Sequence, residues 1–135
     1  YREEEREMLP LCTDQKIAVT PYSPLASGRL TRDWSATTKR FETDQMAKHK
    51  YDTTEAQDRV IVERVAAIAE KYGVERVQVA LSWLLQKDQV VAPIIGATKE
   101  SHLTSAISAL DFKLSAENIL SLEEPYIPHH IMGHN

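Results

Sequence analysis

The sequence VVAPIIG at residues 90–96 is a continuous apolar run that ends in glycine. This pattern is typical of a strand buried on both faces of a parallel sheet, and we predict a strand over 90–95. A second short apolar run with β-branched residues, IAVTPY at 17–22, predicts another strand. Pro21 and Pro93 lack the amide hydrogen that central pairing requires, so we expect a broken ladder at both positions.

Helical periodicity surrounds both strands and predicts helices over 3–14, 56–72, 76–87, 99–110 and 116–124. Pro10 should kink or shorten the first helix, Gly73 should follow the second as a C-terminal cap, and Ser115 should cap the last. The residues predicted to face the core are Ile61, Val65, Ile68, Tyr72, Val77, Ala80, Leu81, Trp83, Leu84, Leu85, Leu103, Ile107, Leu110, Ile119, Leu120 and Leu122. Strands separated by helices imply parallel pairing through right-handed crossovers, and therefore an α/β fold.

A long polar stretch follows the first strand. Residues 23–33 are rich in Ser, Pro and Gly, and the polarity continues to about residue 57, which predicts a long loop over 31–57. Trp34, Phe41 and Tyr51 give this loop apolar side chains to pack, as a lid would have. A floppy insertion is the alternative interpretation.

Composition bounds the class of protein. A chain of 135 residues suits one domain, and its net charge of −4 disfavours a strongly basic nucleic-acid binder. A single cysteine, Cys12, excludes an intrachain disulfide and a cysteine zinc site; we interpret it as core filler, in keeping with a cytoplasmic protein. No apolar run is long enough to span a bilayer, so no membrane association is expected. The histidines of the tail, 128–135, have no neighbouring carboxylate or cysteine in the sequence, so we predict a solvated tail and no metal site.

Two segments carry residues suited to binding phosphates. The first segment, PYSPLASGRL at 21–30, follows the C-terminal end of a strand, where α/β barrels place their sites. Its Tyr22 can stack on a planar ring. Phosphates can approach Ser23, the Leu25 amide and Gly28 closely, and Arg29 can neutralise their charge. IGATKESHL at 95–103 ends a strand and opens a helix, whose free amides favour phosphate beside the Thr98 hydroxyl and the Lys99 cation. Each signal alone is weak, since such pairs are common in turns and a lysine at a helix start is usually solvated.

Together, the order of strand, YSPLASGRL, long loop, two helices and VVAPIIGATKESHL resembles the aldo-keto reductases over residues 1–127. Within that family it looks closest to the bacterial and potassium-channel β-subunit-like branch. The resemblance implies a (β/α)8 TIM barrel, with 17–22 as its seventh strand and 90–95 as its eighth. Residues 1–135 would then be the C-terminal half of one barrel domain, incomplete on its own.

The resemblance also implies NADPH as the cofactor. It assigns Tyr22 to stacking on the nicotinamide, and Ser23, Leu25 and Gly28 to the pyrophosphate loop, with Arg29 beside them. It assigns Gly96 and Thr98 to the turn that holds the adenosine phosphate, and Lys99 to the 2′-phosphate. His102 would lie near the adenine. Ala106 stands where the family often has an adenine-binding Asn, and Ser105 where an acidic residue is common. Contacts to the adenine are therefore expected to be weaker or differently supplied.

The family's catalytic Asp, Tyr, Lys and His lie on earlier strands, and Tyr1 follows all four. We therefore predict no catalytic residue in this chain and no hydride transfer by it alone. The intact parent is expected to reduce an aldehyde or ketone with NADPH. The alternatives are a non-catalytic NADPH-binding accessory or sensor subunit, and a truncated chain without activity of its own. Exposed strand edges predict self-association, or pairing with a missing N-terminal half.

Overall fold

A computed structural model describes residues 1–34, 48, 51 and 54–131. These residues form five α-helices: α1 (Met8–Asp14), α2 (Glu55–Tyr72), α3 (Arg76–Leu85), α4 (Glu100–Ile107) and α5 (Ala116–Glu123). Short 3-10 segments occur at Glu3–Glu5, Ala26–Thr31 and Ser108–Asp111. Most of the loop predicted over 31–57 lies outside the described residues. None of the described helices is long and apolar enough to cross a bilayer.

The two predicted strands meet in parallel but only at isolated points. Val19 bridges Val90, and Tyr22 bridges Ile94. The Ile94 amide donates to the Pro21 carbonyl at 2.9 Å. Parallel pairing is confirmed at these bridges, whereas continuous strands over 17–22 and 90–95 do not occur in the described part of the chain. The missing amide hydrogens of Pro21 and Pro93 account for the broken ladder.

The helix ends follow local sequence signals. Pro10 sits in the first turn of α1, where its missing amide hydrogen has no intrahelical partner to lose, and the predicted helix over 3–14 is shortened accordingly. Gly73 ends α2 in the left-handed conformation, with φ of 65°, which only glycine adopts without strain. The Ser115 hydroxyl accepts a hydrogen bond from the Asn118 amide at 3.2 Å and caps α5. All three predicted signals are confirmed.

Helix α3 is the centre of the core, because its residues contribute to both buried clusters. Val79, which is fully buried, joins the first cluster, whose other members are Val65, Ile68, Ala69, Leu114 and Leu122. Leu81 joins the second cluster, whose other members are Ala106 and Ala109. The partly buried Trp83 packs against the first cluster, as predicted for a core residue.

The inward face predicted for α4 is wrong. Leu103, Ile107 and Leu110 are 48%, 54% and 65% exposed, whereas Ala106 and Ala109 are buried. The small alanines lie in the same buried cluster as Leu81 of α3, and their size permits close packing there. A helix that packs by its smallest residues necessarily turns its larger ones to other sides.

Three other burial predictions are corrected. Tyr72 and Leu120 are 44% and 67% exposed, although both were predicted to face the core. The Tyr72 hydroxyl accepts a hydrogen bond from Asn118 Nδ2 at 2.9 Å, which holds the ring at the edge of the core. Cys12 is only half-buried and is not the core filler predicted; helix α1, in which it lies, has no buried residue.

The tail is also packed more closely than predicted. The side chain of His129 is only 3% exposed, and its Nε2 lies 2.9 Å from Oδ1 of Asp58 in α2. The rings of Tyr1 and Tyr126 lie 6.0 and 5.8 Å from the His129 ring. A solvated His129 was therefore a wrong prediction, because its carboxylate partner comes from a distant helix. Residues 132–135 of the tail lie outside the described residues.

Candidate functional site

The parallel bridge between Tyr22 and Ile94 brings the two predicted phosphate-binding segments to the same edge of the molecule. The turn at 23–28 continues directly from Tyr22, and the segment 96–99 begins two residues beyond Ile94. Leu25 and Ile95 both pack against the buried cluster formed by α3 and α4. The residues predicted to form one site therefore leave neighbouring strand ends together.

The backbone at 23–28 has an unusual conformation. Ser23, Ala26 and Ser27 have φ values of 54°, 49° and 57°, in the left-handed region that favours glycine, and Gly28 follows with φ of 86°. Each left-handed residue with a side chain costs roughly 1–2 kcal/mol. Two amides of this turn are paired within it, because Ala26 N donates to the Ser23 carbonyl at 3.1 Å and Gly28 N donates to the Leu25 carbonyl at 2.9 Å. Strain of this kind persists only where the surroundings hold it.

Arg29 is buried, which the sequence did not indicate. Only 4% of the residue is exposed, and its guanidinium carbon lies 5.3 and 5.4 Å from the ring centroids of Trp34 and Tyr51. Trp34 Nε1 donates a hydrogen bond to the Arg29 carbonyl at 3.1 Å. These contacts place the arginine beside the turn at 23–28 and against aromatic rings.

The predicted residues on the second segment are exposed. Lys99 has extended backbone immediately before α4, so the helix begins one residue later than predicted. A Cβ added at Gly96 would meet no atom within 4 Å, so space for a ligand is open there. Thr98 and His102 are exposed on either side of the helix start, and Tyr22 is 84% exposed at the bridge.

Of the two predicted phosphate-binding segments, only the first, residues 21–30, borders a cavity of about 450 Å³. Tyr22, Ser23 and Arg29 contribute to its wall, and so do Trp34 and Tyr51. The residues of the second segment do not line it. The cavity is therefore distinct from the exposed surface that the second segment forms.

A charged cluster of Arg2, Glu5, Lys87 and Glu123 was missed by the sequence analysis. Glu123 accepts hydrogen bonds from Lys87 Nζ at 2.7 Å and from Trp83 Nε1 at 2.9 Å. Arg2 pairs with Glu5 at 2.5 Å and lies 3.6 Å from Glu123. Burial acts to raise the pKa of Glu123, but Lys87, Arg2 and the Trp83 hydrogen bond outweigh it and lower that pKa below 4.5.

This cluster ties the N-terminal segment to α3 and α5 and is structural in character. Arg2 and Lys87 lie 5.2 and 4.4 Å from the Trp83 ring centroid, so both cations also contact an aromatic face. Residue spacing could not have revealed it, since the partners are far apart in the sequence.

Comparison with known proteins identifies relatives over almost the whole chain. The family model of the aldo/keto reductase family matches residues 1–127. The versiconal hemiacetal acetate reductase of Aspergillus parasiticus is 39% identical over 129 residues, which cover 94% of this chain and 37% of that protein. An aldo-keto reductase of Fusarium vanettenii is 38% identical over 136 aligned positions, covering 100% of this chain and 36% of the relative. The chain thus spans little more than a third of the length of these curated relatives.

A crystal structure of a thermostable aldo-keto reductase, obtained with the inhibitor epalrestat, has a similar fold. Its TM-score is 0.63 and its sequence identity 24%, and the match covers 93% of this chain and 36% of the other. The curated relatives named above are fungal. They support the family and give no support to the bacterial and channel-subunit-like branch expected from the sequence.

Proposed function

The chain belongs to the aldo/keto reductase family, and we propose that it forms the C-terminal part of a (β/α)8 barrel. Residues 17–22 and 90–95 would be the seventh and eighth strands. The parallel bridge between Tyr22 and Ile94 is the observation that carries this proposal, because neighbouring barrel strands present their C-terminal ends at one mouth. The similar fold of the thermostable reductase supports it.

We further propose that this part of the barrel holds NADPH for an oxidoreductase that reduces aldehydes or ketones. The residues fit such a cofactor: the Tyr22 ring is exposed, the Lys99 cation stands at a helix start, and the space beside Gly96 is open. When bound, NADPH supplies the hydride that reduces a carbonyl carbon. The chain's own contribution is to bind and orient the cofactor.

Each predicted residue except Arg29 is given a direct contact with the cofactor. Tyr22 would cover one face of the nicotinamide, Ser23 and the Leu25 amide would donate hydrogen bonds to the pyrophosphate, and Gly28 would let it approach the backbone closely. Gly96, Thr98 and the first amides of α4 would receive the adenosine phosphate, because a helix N-terminus favours negative charge. Lys99 would pair with the 2′-phosphate and His102 would lie beside the adenine.

We assign no catalytic residue to this chain. Tyr22 is proposed to stack through its ring, and the group that protonates the carbonyl oxygen is expected from another part of the barrel. The carbonyl substrate would be a small molecule bound at the same mouth of the barrel.

Turnover by the full-length protein tests the proposal. NADPH and a panel of aldehydes and ketones should give a loss of NADPH absorbance that depends on both enzyme and carbonyl compound, with NADH as the matched control and a slower reaction expected from it. Binding of NADPH without turnover of any carbonyl compound would instead favour an accessory or sensor subunit. Absence of NADPH binding would contradict both functions.

A further inference from the structure

We infer that Arg29 is a positioning residue for the cofactor loop, and that it acts through the rings of Trp34 and Tyr51 instead of binding phosphate itself. The inference concerns the turn at 23–28, defined here as the cofactor loop, and rests on the function proposed above. It assigns a role to a buried cation that the proposed cofactor contacts leave unexplained.

The burial of Arg29 argues against a direct phosphate contact. Arg29 is 4% exposed and Tyr51 is 5% exposed, so both side chains are withdrawn from the outer surface and contribute to the wall of the cavity described above. Its distances of 5.3 and 5.4 Å to the two ring centroids are within the range of cation–π attraction, which strengthens when the cation is desolvated. The guanidinium is therefore already engaged by two aromatic rings, and a phosphate would have to compete with them.

The backbone around Arg29 is held by the same group of residues. Trp34 Nε1 donates to the Arg29 carbonyl at 3.1 Å, and the Thr31 hydroxyl donates to the Gly28 carbonyl at 3.0 Å. Both hydrogen bonds fix the end of the cofactor loop, immediately after the left-handed Ser27 and Gly28. Trp34 therefore contacts the side chain of Arg29 through its ring and the main chain of Arg29 through Nε1.

Such anchoring meets a physical need of the cofactor loop. Three of its residues with side chains are left-handed, a conformation that is maintained only when neighbouring structure over-determines it. The contacts of Arg29 with Trp34 and Tyr51, named the Arg29 clamp, hold the loop in this conformation at one end. The packing of Leu25 on the core holds the loop in the middle. Loss of either ring should let the loop relax, even if neither ring touches the cofactor.

Hydrogen–deuterium exchange on the ligand-free full-length protein tests the inference without using the cofactor. Trp34→Leu and Tyr51→Leu should each raise the exchange of amides at 23–30 by roughly three- to thirtyfold and leave α3 unchanged. Trp34→Phe, which retains a ring but loses the hydrogen bond from Nε1 to the Arg29 carbonyl, should exchange at a rate between those of the wild type and Trp34→Leu. Trp83→Leu is the matched control, since Trp83 also contacts two cations but outside the loop. Unchanged exchange at 23–30 in both clamp variants would overturn the inference.

Titration with NADPH separates positioning from direct binding. We expect Arg29→Leu and Trp34→Leu to weaken NADPH binding by similar factors and the double variant to be little worse than either, because all three remove the same cation–ring contact. If Arg29 bound phosphate directly, Arg29→Leu would weaken NADPH binding far more than Trp34→Leu does, and that result would overturn the inference. If the wild type binds no NADPH, the proposed function fails, and the exchange measurement alone decides the role of Arg29.

Discussion

Replacing Glu123 with glutamine should lower the free energy of unfolding by about 1–2 kcal/mol. The carboxylate accepts hydrogen bonds from Lys87 Nζ at 2.7 Å and Trp83 Nε1 at 2.9 Å, and its side chain is 27% exposed. Glutamine keeps the shape and an acceptor for Trp83 but loses the charge that faces Lys87 and Arg2. A charge-assisted hydrogen bond contributes roughly 1.5–3 kcal/mol, and the partial exposure of Glu123 reduces that figure.

The adjacent residue provides a matched control. Glu124 pairs with Arg64 at 2.8 Å, but its side chain is 68% exposed, so Glu124→Gln should cost less than about 0.5 kcal/mol. Urea unfolding followed by circular dichroism compares the two variants, which differ only in the position of the same substitution. Equal losses, or a larger loss at Glu124, would refute the assignment of Glu123 as the centre of the charged cluster.

The pH dependence of the same variant supplies a second check. Because the folded protein lowers the pKa of Glu123 below 4.5, its carboxylate stabilises the fold above pH 4.5 and ceases to do so as the pH falls through the folded value. The stability difference between wild type and Glu123→Gln should therefore be full near neutral pH and shrink only below 4.5. A difference that grew on acidification would contradict the stated sign.

Three further predictions follow from the candidate site and the fold. Tyr22→Phe should leave NADPH affinity nearly unchanged and Tyr22→Ala should lose roughly 1 kcal/mol or more in a binding titration; equal damage would make the hydroxyl the important group. Gly73→Ala should destabilise α2 by about 1 kcal/mol because φ is 65°, whereas Gly96→Ala, with open space and no positive φ, should leave the melting temperature unchanged. The isolated 135-residue chain should self-associate in size exclusion with light scattering, because large apolar side chains such as Ile94 and Leu103 are exposed; a compact monomer would contradict this.

The elements that the sequence predicted well are those fixed by local chemistry. Gly73 ends α2, Ser115 caps α5 and Pro10 shortens α1, since each effect depends on the residue's own backbone or hydroxyl. The pairing of the two apolar runs was predictable as parallel because helices separate them. Its reduction to single bridges followed from two prolines already visible in the sequence.

The predictions that failed depend on neighbours far along the chain. The periodicity of α4 identifies an apolar face around Leu103 and Ile107, but close packing against α3 buries Ala106 instead. His129 is buried because Asp58 of α2 meets it, which no nearby residue indicates. At the candidate site, the order of elements in the sequence correctly predicted that the segments around Tyr22 and Ile94 pair. The aromatic rings around Arg29 could be identified only from the three-dimensional structure.

Calorimetric titration of the full-length protein with NADPH and NADH, repeated on Lys99→Met, tests most directly whether this chain holds the cofactor. Lys99 is exposed before α4, where a 2′-phosphate would gain a charge-assisted pair. The wild type should prefer NADPH, and Lys99→Met should weaken NADPH binding about tenfold or more while NADH affinity barely changes. Equal weakening of both cofactors, or no preference in the wild type, would contradict the proposed role of this chain in holding NADPH.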